Sequence, residues 1–154
     1  RNDQVVWRRN AYRPPTLRGF ERREFGSGIS TSVDVMARLG LMLLRDGRWQ
    51  TTRILPAGFA ALAGHPADGL GNLPCRDPDP QKCPGATKRY GILFWTNGDG
   101  HIPVLPRDAY WAAGQDTSFI LVIPSLDIVA ARAGPGWADG EAERYASLVA
   151  GAVR

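Results

Sequence analysis

Residues 107–134 read RDAYWAAGQDTSFILVIPSLDIVAARAG, and two interruptions divide them into three candidate strands. Asp108–Ala113 combines aromatic and small residues, Thr117–Ile123 is β-branched and aliphatic, and Asp127–Ala133 alternates weakly. Gly114-Gln115-Asp116 forms the first break and Pro124-Ser125-Leu126 the second, both short enough for hairpin connections. The middle segment is nearly apolar from Ser118 to Ile123, whereas a strand with one face in water would alternate. It needs cover on both faces. The pattern therefore predicts an antiparallel sheet flanked by helices, an α/β chain of the α+β type.

Upstream, Val33, Met36, Ala37, Gly40, Leu41 and Leu44 recur at helical spacing. Ser30 or Thr31 can cap this helix, with Asp34 three residues after Thr31, and Gly47 is a natural stop. Asp34 and Arg38 stand four apart and predict an ion pair. Gly40 costs roughly 1 kcal/mol relative to Ala inside a helix, so close packing against another element is its expected compensation. Pro56 opens a shorter helix, Pro56–Ala63. Tyr90–Thr96 reads as a strand and Asn97-Gly98-Asp99-Gly100 as a turn. A last helix, Asp139–Val153, carries Ala142, Tyr145, Leu148, Val149 and Ala152 on the side expected to cover the sheet. The expected organisation is an irregular arginine-rich wrap over 1–29 and a helical region over 30–64. A proline-rich loop over 65–88, sheet strands over 89–134 and a terminal helix over 139–153 complete it.

With 154 residues, 44% of them apolar, the chain suffices for one domain. No apolar run reaches membrane-spanning length, so no membrane span is expected. The first residue is Arg1 rather than Met, as in a partial chain. The net charge of +4 is concentrated at one end. Arg1, Arg8, Arg9, Arg13, Arg18, Arg22 and Arg23 face only Asp3, Glu21 and Glu24 there, and the remainder is neutral. Trp7, Tyr12, Phe20 and Phe25 are interleaved with these arginines, a composition that also suits a nucleic-acid arm. Pro14-Pro15 and Gly19 favour a wrap with buried rings and surface Arg stems, so no nucleic-acid partner is expected.

Three segments in order carry a family resemblance. FGSGISTSVDVMARLGLMLLRDGRW (25–49), RYGILFWTNGDG (89–100) and YWAAG followed by FILVIPSLDIVAARAG (110–134) resemble the serine β-lactamase/penicillin-binding-protein-like hydrolases. The nearest branch is that of the esterases and 6-aminohexanoate-oligomer hydrolases. The resemblance implies the C-terminal portion of a single domain of that fold, whose sheet takes strands from both ends of the chain. The N-terminal half of the same protein is then a required partner.

The family's chemistry needs a Ser-x-x-Lys nucleophile and base, a Tyr-x-Asn proton shuttle and a Lys-Thr-Gly strand presenting a backbone N–H to the oxyanion. None of Ser27, Ser30, Ser32, Ser118, Ser125 and Ser147 has Lys three residues on. The only lysines are Lys82 and Lys88, and Tyr-x-Asn is absent. Tyr145-Ala146-Ser147 falls in the terminal helix and is a coincidence. Ala112-Ala113-Gly114 stands where Lys-Thr-Gly would, which makes the backbone N–H of Gln115 the candidate oxyanion donor. Tyr110, Trp111, Ala112, Ala113, Gly114 and Asp116 become candidate substrate contacts, with a plain turn role as the alternative for Asp116. Tyr110 and Trp111 alternate, so one is expected to face a pocket and the other the core.

Ala112 removes the cation that holds the substrate carboxylate in penicillin-recognising members. The implied substrate is a small-molecule ester or amide, cleaved through an acyl-serine without metal or organic cofactor. His65 and His101 are too few for a Ser-His-Asp triad or a zinc site and read as surface loop histidines. Cys75 and Cys83 are a candidate disulfide, which would imply an oxidising compartment. Family members are often exported, so a periplasmic or secreted location is expected, with free thiols and the cytoplasm as the alternative. The rival reading of the whole chain is a non-catalytic ligand- or polyanion-binding module built on the arginine-rich segment.

Overall fold

The apolar run Phe119–Ile123 is a strand, and all five of its residues are buried. The computed structural model describes residues 5–9, 13–23, 28–70, 88–114, 117–138 and 140–153; Cys75, Cys83, Gln115 and Asp116 lie outside them. In chain order the elements begin with β1 (Val5–Trp7), β2 (Thr16–Leu17), β3 (Phe20–Glu21) and β4 (Ile29–Thr31). Helix α1 (Val33–Leu44), β5 (Arg48–Trp49), β6 (Thr52–Arg53) and α2 (Phe59–Ala63) follow. Then come β7 (Trp95–Thr96), β8 (Tyr110–Ala113), β9 (Phe119–Ile123), β10 (Ile128–Arg132) and α3 (Glu141–Gly151). The chain is thus mixed α and β, with antiparallel sheets.

The main sheet has the order β10-β9-β8-β7, so β9 is paired on both sides. Tyr110 pairs with Val122 and Ala113 with Phe119, while Ile128 pairs with Ile123. Residue alternation then sorts side chains into two cores. On one face Tyr110 and Val122 meet Leu43 of α1, with Leu55, Phe59 and Phe94 around them. On the other, Trp111, Phe119, Leu121 and Ile123 meet Ala146 and Ala150 of α3. Both covers that the apolar run demands are present.

Helix α1 lies on β9 and β10, and Gly40 is the reason it can. A Cβ there would come within 2.5 Å of Val129 Cγ1 and 3.0 Å of Ile120 Cγ2. The cap is Ser32, whose Oγ accepts the Val35 N–H at 3.3 Å. Ser30 and Thr31 do not cap because both belong to β4, paired with Val6 and Val5. At the other end the Asp46 N–H donates to Leu43 O (3.0 Å) and the Gly47 N–H to Met42 O (2.8 Å), a Schellman motif. Asp46, not Gly47, takes its first left-handed position (φ +50°), and Gly47 follows at +75°. The expected Asp34–Arg38 pair forms at 2.8 Å. Arg45 reaches the turn before β10 and grips both carboxylate oxygens of Asp127, at 2.6 and 3.1 Å.

Several boundaries move. The second helix starts at Phe59, because Gly58 just before it is left-handed (φ +80°). The strand expected over Tyr90–Thr96 shrinks to Trp95–Thr96: Leu93 has φ +66° and the Gly91 N–H bonds Phe94 O at 2.7 Å, folding the segment back on itself. In α3 the buried stripe runs through Ala146 and Ala150, flanked by Ala142, Tyr145 and Val149, while Leu148 is 64% exposed. The described rings of the first segment are not buried. Phe20 is 78% and Trp7 49% exposed, on the β2–β3 hairpin and the β1–β4 ribbon; Tyr12 and Phe25 lie outside the described residues.

Candidate active site

Strand β8 carries most of the expected site residues, and its burial falls steadily along its length. Tyr110 and Trp111 are buried, Ala112 is half-buried, and Ala113 and Gly114 are exposed. The expectation that one of the two rings faces a pocket is corrected. Tyr110 sits in the α1-side core and Trp111 in the α3-side core, because the sheet is covered on both faces.

At that end the Gly114 N–H donates to Ser118 O at 2.8 Å and closes the β8–β9 connection. The next backbone N–H along the chain is that of Gln115. Beside Gly114, the position of a Cβ has only Ser118 within 4 Å among the described residues, at 3.7 Å. Thr117 takes a left-handed φ of +58°, and its hydroxyl donates to Gly134 O at 2.6 Å. Arg132 donates to the same carbonyl and lies over the Trp137 ring at 4.4 Å, tying the strand ends together.

The Tyr110 hydroxyl is buried and has no hydrogen-bond partner among the described residues. Burial, and then the nearby charge of Asp46, push it up to about 12. Thr96, its register neighbour on β7, has an equally buried and unpartnered Oγ1.

The loop from β7 to β8 is held from inside. Asn97 is fully buried; its Nδ2 donates to the carbonyls of Ile102 (3.1 Å) and Leu105 (2.9 Å), and its Oδ1 accepts from the Ile102 N–H at 3.0 Å. The Asn97–Gly100 turn is present, with the Gly100 N–H on Asn97 O at 2.8 Å. On this loop the His101 Nδ1–H donates to Asp99 at 2.7 Å, and Arg89 binds the other carboxylate oxygen at 2.8 Å. Burial works against the Asp99 charge, but the hydrogen bonds from Arg89 and His101 outweigh it and hold this carboxyl well below the usual range. His101 is therefore no free surface histidine: its side chain is 13% exposed and its ring centroid lies 5.8 Å from that of Trp111. The Asp-x-His spacing is the signal for this, since a turn Asp folds onto the backbone two residues on. His65 is exposed, as expected.

No protein-family model and no curated protein matches the chain. Among the described residues no group of three or more His, Cys, Asp or Glu side chains is placed to hold a metal. No described helix is long and apolar enough to cross a membrane. Two concavities flank α1, one lined by Leu41, Leu44, Arg45 and Val129, the other by Leu39, Met42, Trp49 and Ile54. Neither includes residues 110–114.

Proposed function

We propose that this chain is the C-terminal part of a serine hydrolase of the β-lactamase-like type, acting on an ester or small amide. The nucleophilic serine belongs to the N-terminal half of the same protein. Its hydroxyl oxygen attacks the substrate carbonyl, a base on that half takes the proton, and the alcohol or amine leaves with a proton returned to it. Water then cleaves the acyl-serine by the same route. In this reading Gln115 contributes its backbone N–H to the oxyanion, a role that needs no particular side chain.

One observation carries the proposal. Strand β8 runs from two buried aromatics to an exposed Ala113-Gly114 end whose last N–H is already bonded to Ser118 O, at 2.8 Å. The next amide in the sequence, that of Gln115, follows a residue with no side chain and lies outside the described residues. The small residues 112–114 offer a carbonyl substrate close approach and no cation, which favours neutral esters and amides. Export, with a bridge between Cys75 and Cys83, belongs to the same reading.

A fluorophosphonate probe tests it. The whole polypeptide should be labelled at one serine upstream of Arg1, and this chain by itself should not be labelled. Stoichiometric labelling of any serine within residues 1–154 would overturn the assignment of the nucleophile.

A further inference from the structure

Asn97 combines a chemically weak sequence with a firmly held side chain. The chain has four asparagines, Asn2, Asn10, Asn72 and Asn97, and only Asn97 precedes a glycine. Asparagine is among the thermolabile residues, and a following glycine makes it most so, because no side chain shields the next main-chain nitrogen. In an open chain the Gly98 nitrogen gives up its proton to water and attacks Cγ of Asn97. The bond from Cγ to Nδ2 then breaks, and Nδ2 leaves as ammonia after taking a proton from water. Water opens the resulting cyclic imide at either carbonyl, which gives aspartate or isoaspartate.

The fold keeps these groups apart. Asn97 is fully buried, and its carboxamide is turned onto residues further along the loop. Nδ2 donates to the carbonyls of Ile102, Leu105 and Pro106 at 3.1, 2.9 and 3.2 Å, and Oδ1 accepts from the Ile102 N–H at 3.0 Å. The main chain is fixed as well. The Asn97 N–H donates to Ala109 O (2.9 Å), the Gly100 N–H to Asn97 O (2.8 Å) and Arg107 Nη1 to Gly98 O (2.9 Å). For Cγ to swing round to the Gly98 nitrogen, all of the carboxamide bonds must break. The product cannot remake them, since an ionised carboxylate has no proton to donate. The three carbonyl oxygens would lose their donor and face a negative charge in a site without solvent. Isoaspartate would also lengthen the main chain by one atom, next to the Thr96–Tyr110 pair.

We infer that Asn97-Gly98 is a deamidation site that the folded β7–β8 loop holds inert, and that its conversion releases this loop. Release uncovers Ile102 and Leu105, which pack with Trp111 in the α3-side core. The modification runs one way, because the ammonia is lost to solvent. Chains held open therefore age at this position, and aged chains cannot rebuild the loop. The site records time spent open rather than time elapsed.

Peptide mapping by mass spectrometry tests the inference, on the folded protein and on the same protein held in urea at mildly alkaline pH. A synthetic peptide spanning Phe94–Gly100 is the unprotected reference. Asn97 should deamidate in urea as fast as in the peptide. In the folded protein it should react at least about tenfold more slowly, because the reaction follows the population of the opened form. Gly98→Ala is the control, since its methyl group hinders the attacking nitrogen. Gly98 is not left-handed, and a Cβ there would meet, among the described residues, Pro66 Cδ at 3.5 Å and Thr96 Oγ1 at 3.8 Å, both ordinary contacts. After long incubation in urea, recovery of native tryptophan fluorescence on dilution should fall in step with the deamidated fraction, whereas Gly98→Ala should keep most of its recovery. Asn97→Asp should melt lower or fail to fold. Where it folds, the Ile102 and Leu105 amides should exchange at least about tenfold faster while those of β9 stay protected. Equal deamidation rates in the folded protein and the peptide would overturn the inference. So would full refolding of deamidated chains, or an Asn97→Asp protein with unchanged protection in this loop.

Discussion

A Cβ on Gly40 of α1 would lie 2.5 Å from Cγ1 of Val129 on β10, well inside van der Waals contact. Helix propensity alone favours Ala at this position by about 1 kcal/mol. Overpacking a close helix–sheet contact costs about 1–3 kcal/mol, and here the second effect should win. Gly40→Ala should lower the urea midpoint of unfolding, and adding Val129→Ala should recover part of the loss. A stabilised Gly40→Ala variant would show that helix and sheet are not in this contact.

Tyr110 offers the opposite case, a substitution that should stabilise. Its hydroxyl is buried without a partner, and removing such a group returns about 1 kcal/mol or more. Tyr110→Phe should therefore raise the melting temperature. It should also flatten the alkaline limb. The folded phenol titrates at about 12 against an ordinary 10.0, so the unfolded chain loses its proton first and stability falls as pH rises above 10. Spectrophotometric titration at alkaline pH should show one late tyrosine that is missing from the variant.

Asp99 governs the acid limb with the reverse sign. Its carboxyl titrates well below the usual 3.8 because Arg89 and His101 bond its charged form, outweighing the burial that opposes it. The unfolded chain takes up the proton first, so the stabilisation is complete above pH 4 and is lost as pH falls through the folded value. Asp99→Asn should melt at a lower temperature at neutral pH. The gap between the two proteins should close as the pH is lowered from 4 toward 2. A gap that persists unchanged over that range would place the effect elsewhere than in the charge.

In the whole polypeptide, replacing Gln115 separates side chain from backbone. Gln115→Ala keeps the N–H and should leave ester turnover within a few-fold. Gln115→Pro removes it and should cost on the order of a hundredfold in kcat. A folded, fully active Gln115→Pro enzyme would exclude this amide from the oxyanion site.

What the sequence determines about this protein is local and periodic. The continuous apolar run Phe119–Ile123 demanded cover on both faces, and it has it. The spacing of Val33 to Leu44 defined a helix, and Asp34 and Arg38 pair across one turn of it. The small residues 112–114 follow the two aromatics of β8 to its exposed end. Tertiary structure decided everything that depends on partners distant in the chain. Ser30 and Thr31 are good caps by type, yet pairing of β4 with Val5 and Val6 passed that role to Ser32. Alternation put Tyr110 and Trp111 on opposite faces of β8, but only the second cover, from α3, made both of them core. His101 looked like a surface loop residue, but its ring lies beside Trp111 of β8, and Arg89 holds the Asp99 carboxylate that it bonds. The first segment shows the same limit from the other side. Its composition favoured a wrap with buried rings, yet Trp7 and Phe20 are exposed, because burial depends on what packs against a segment, which no residue type encodes.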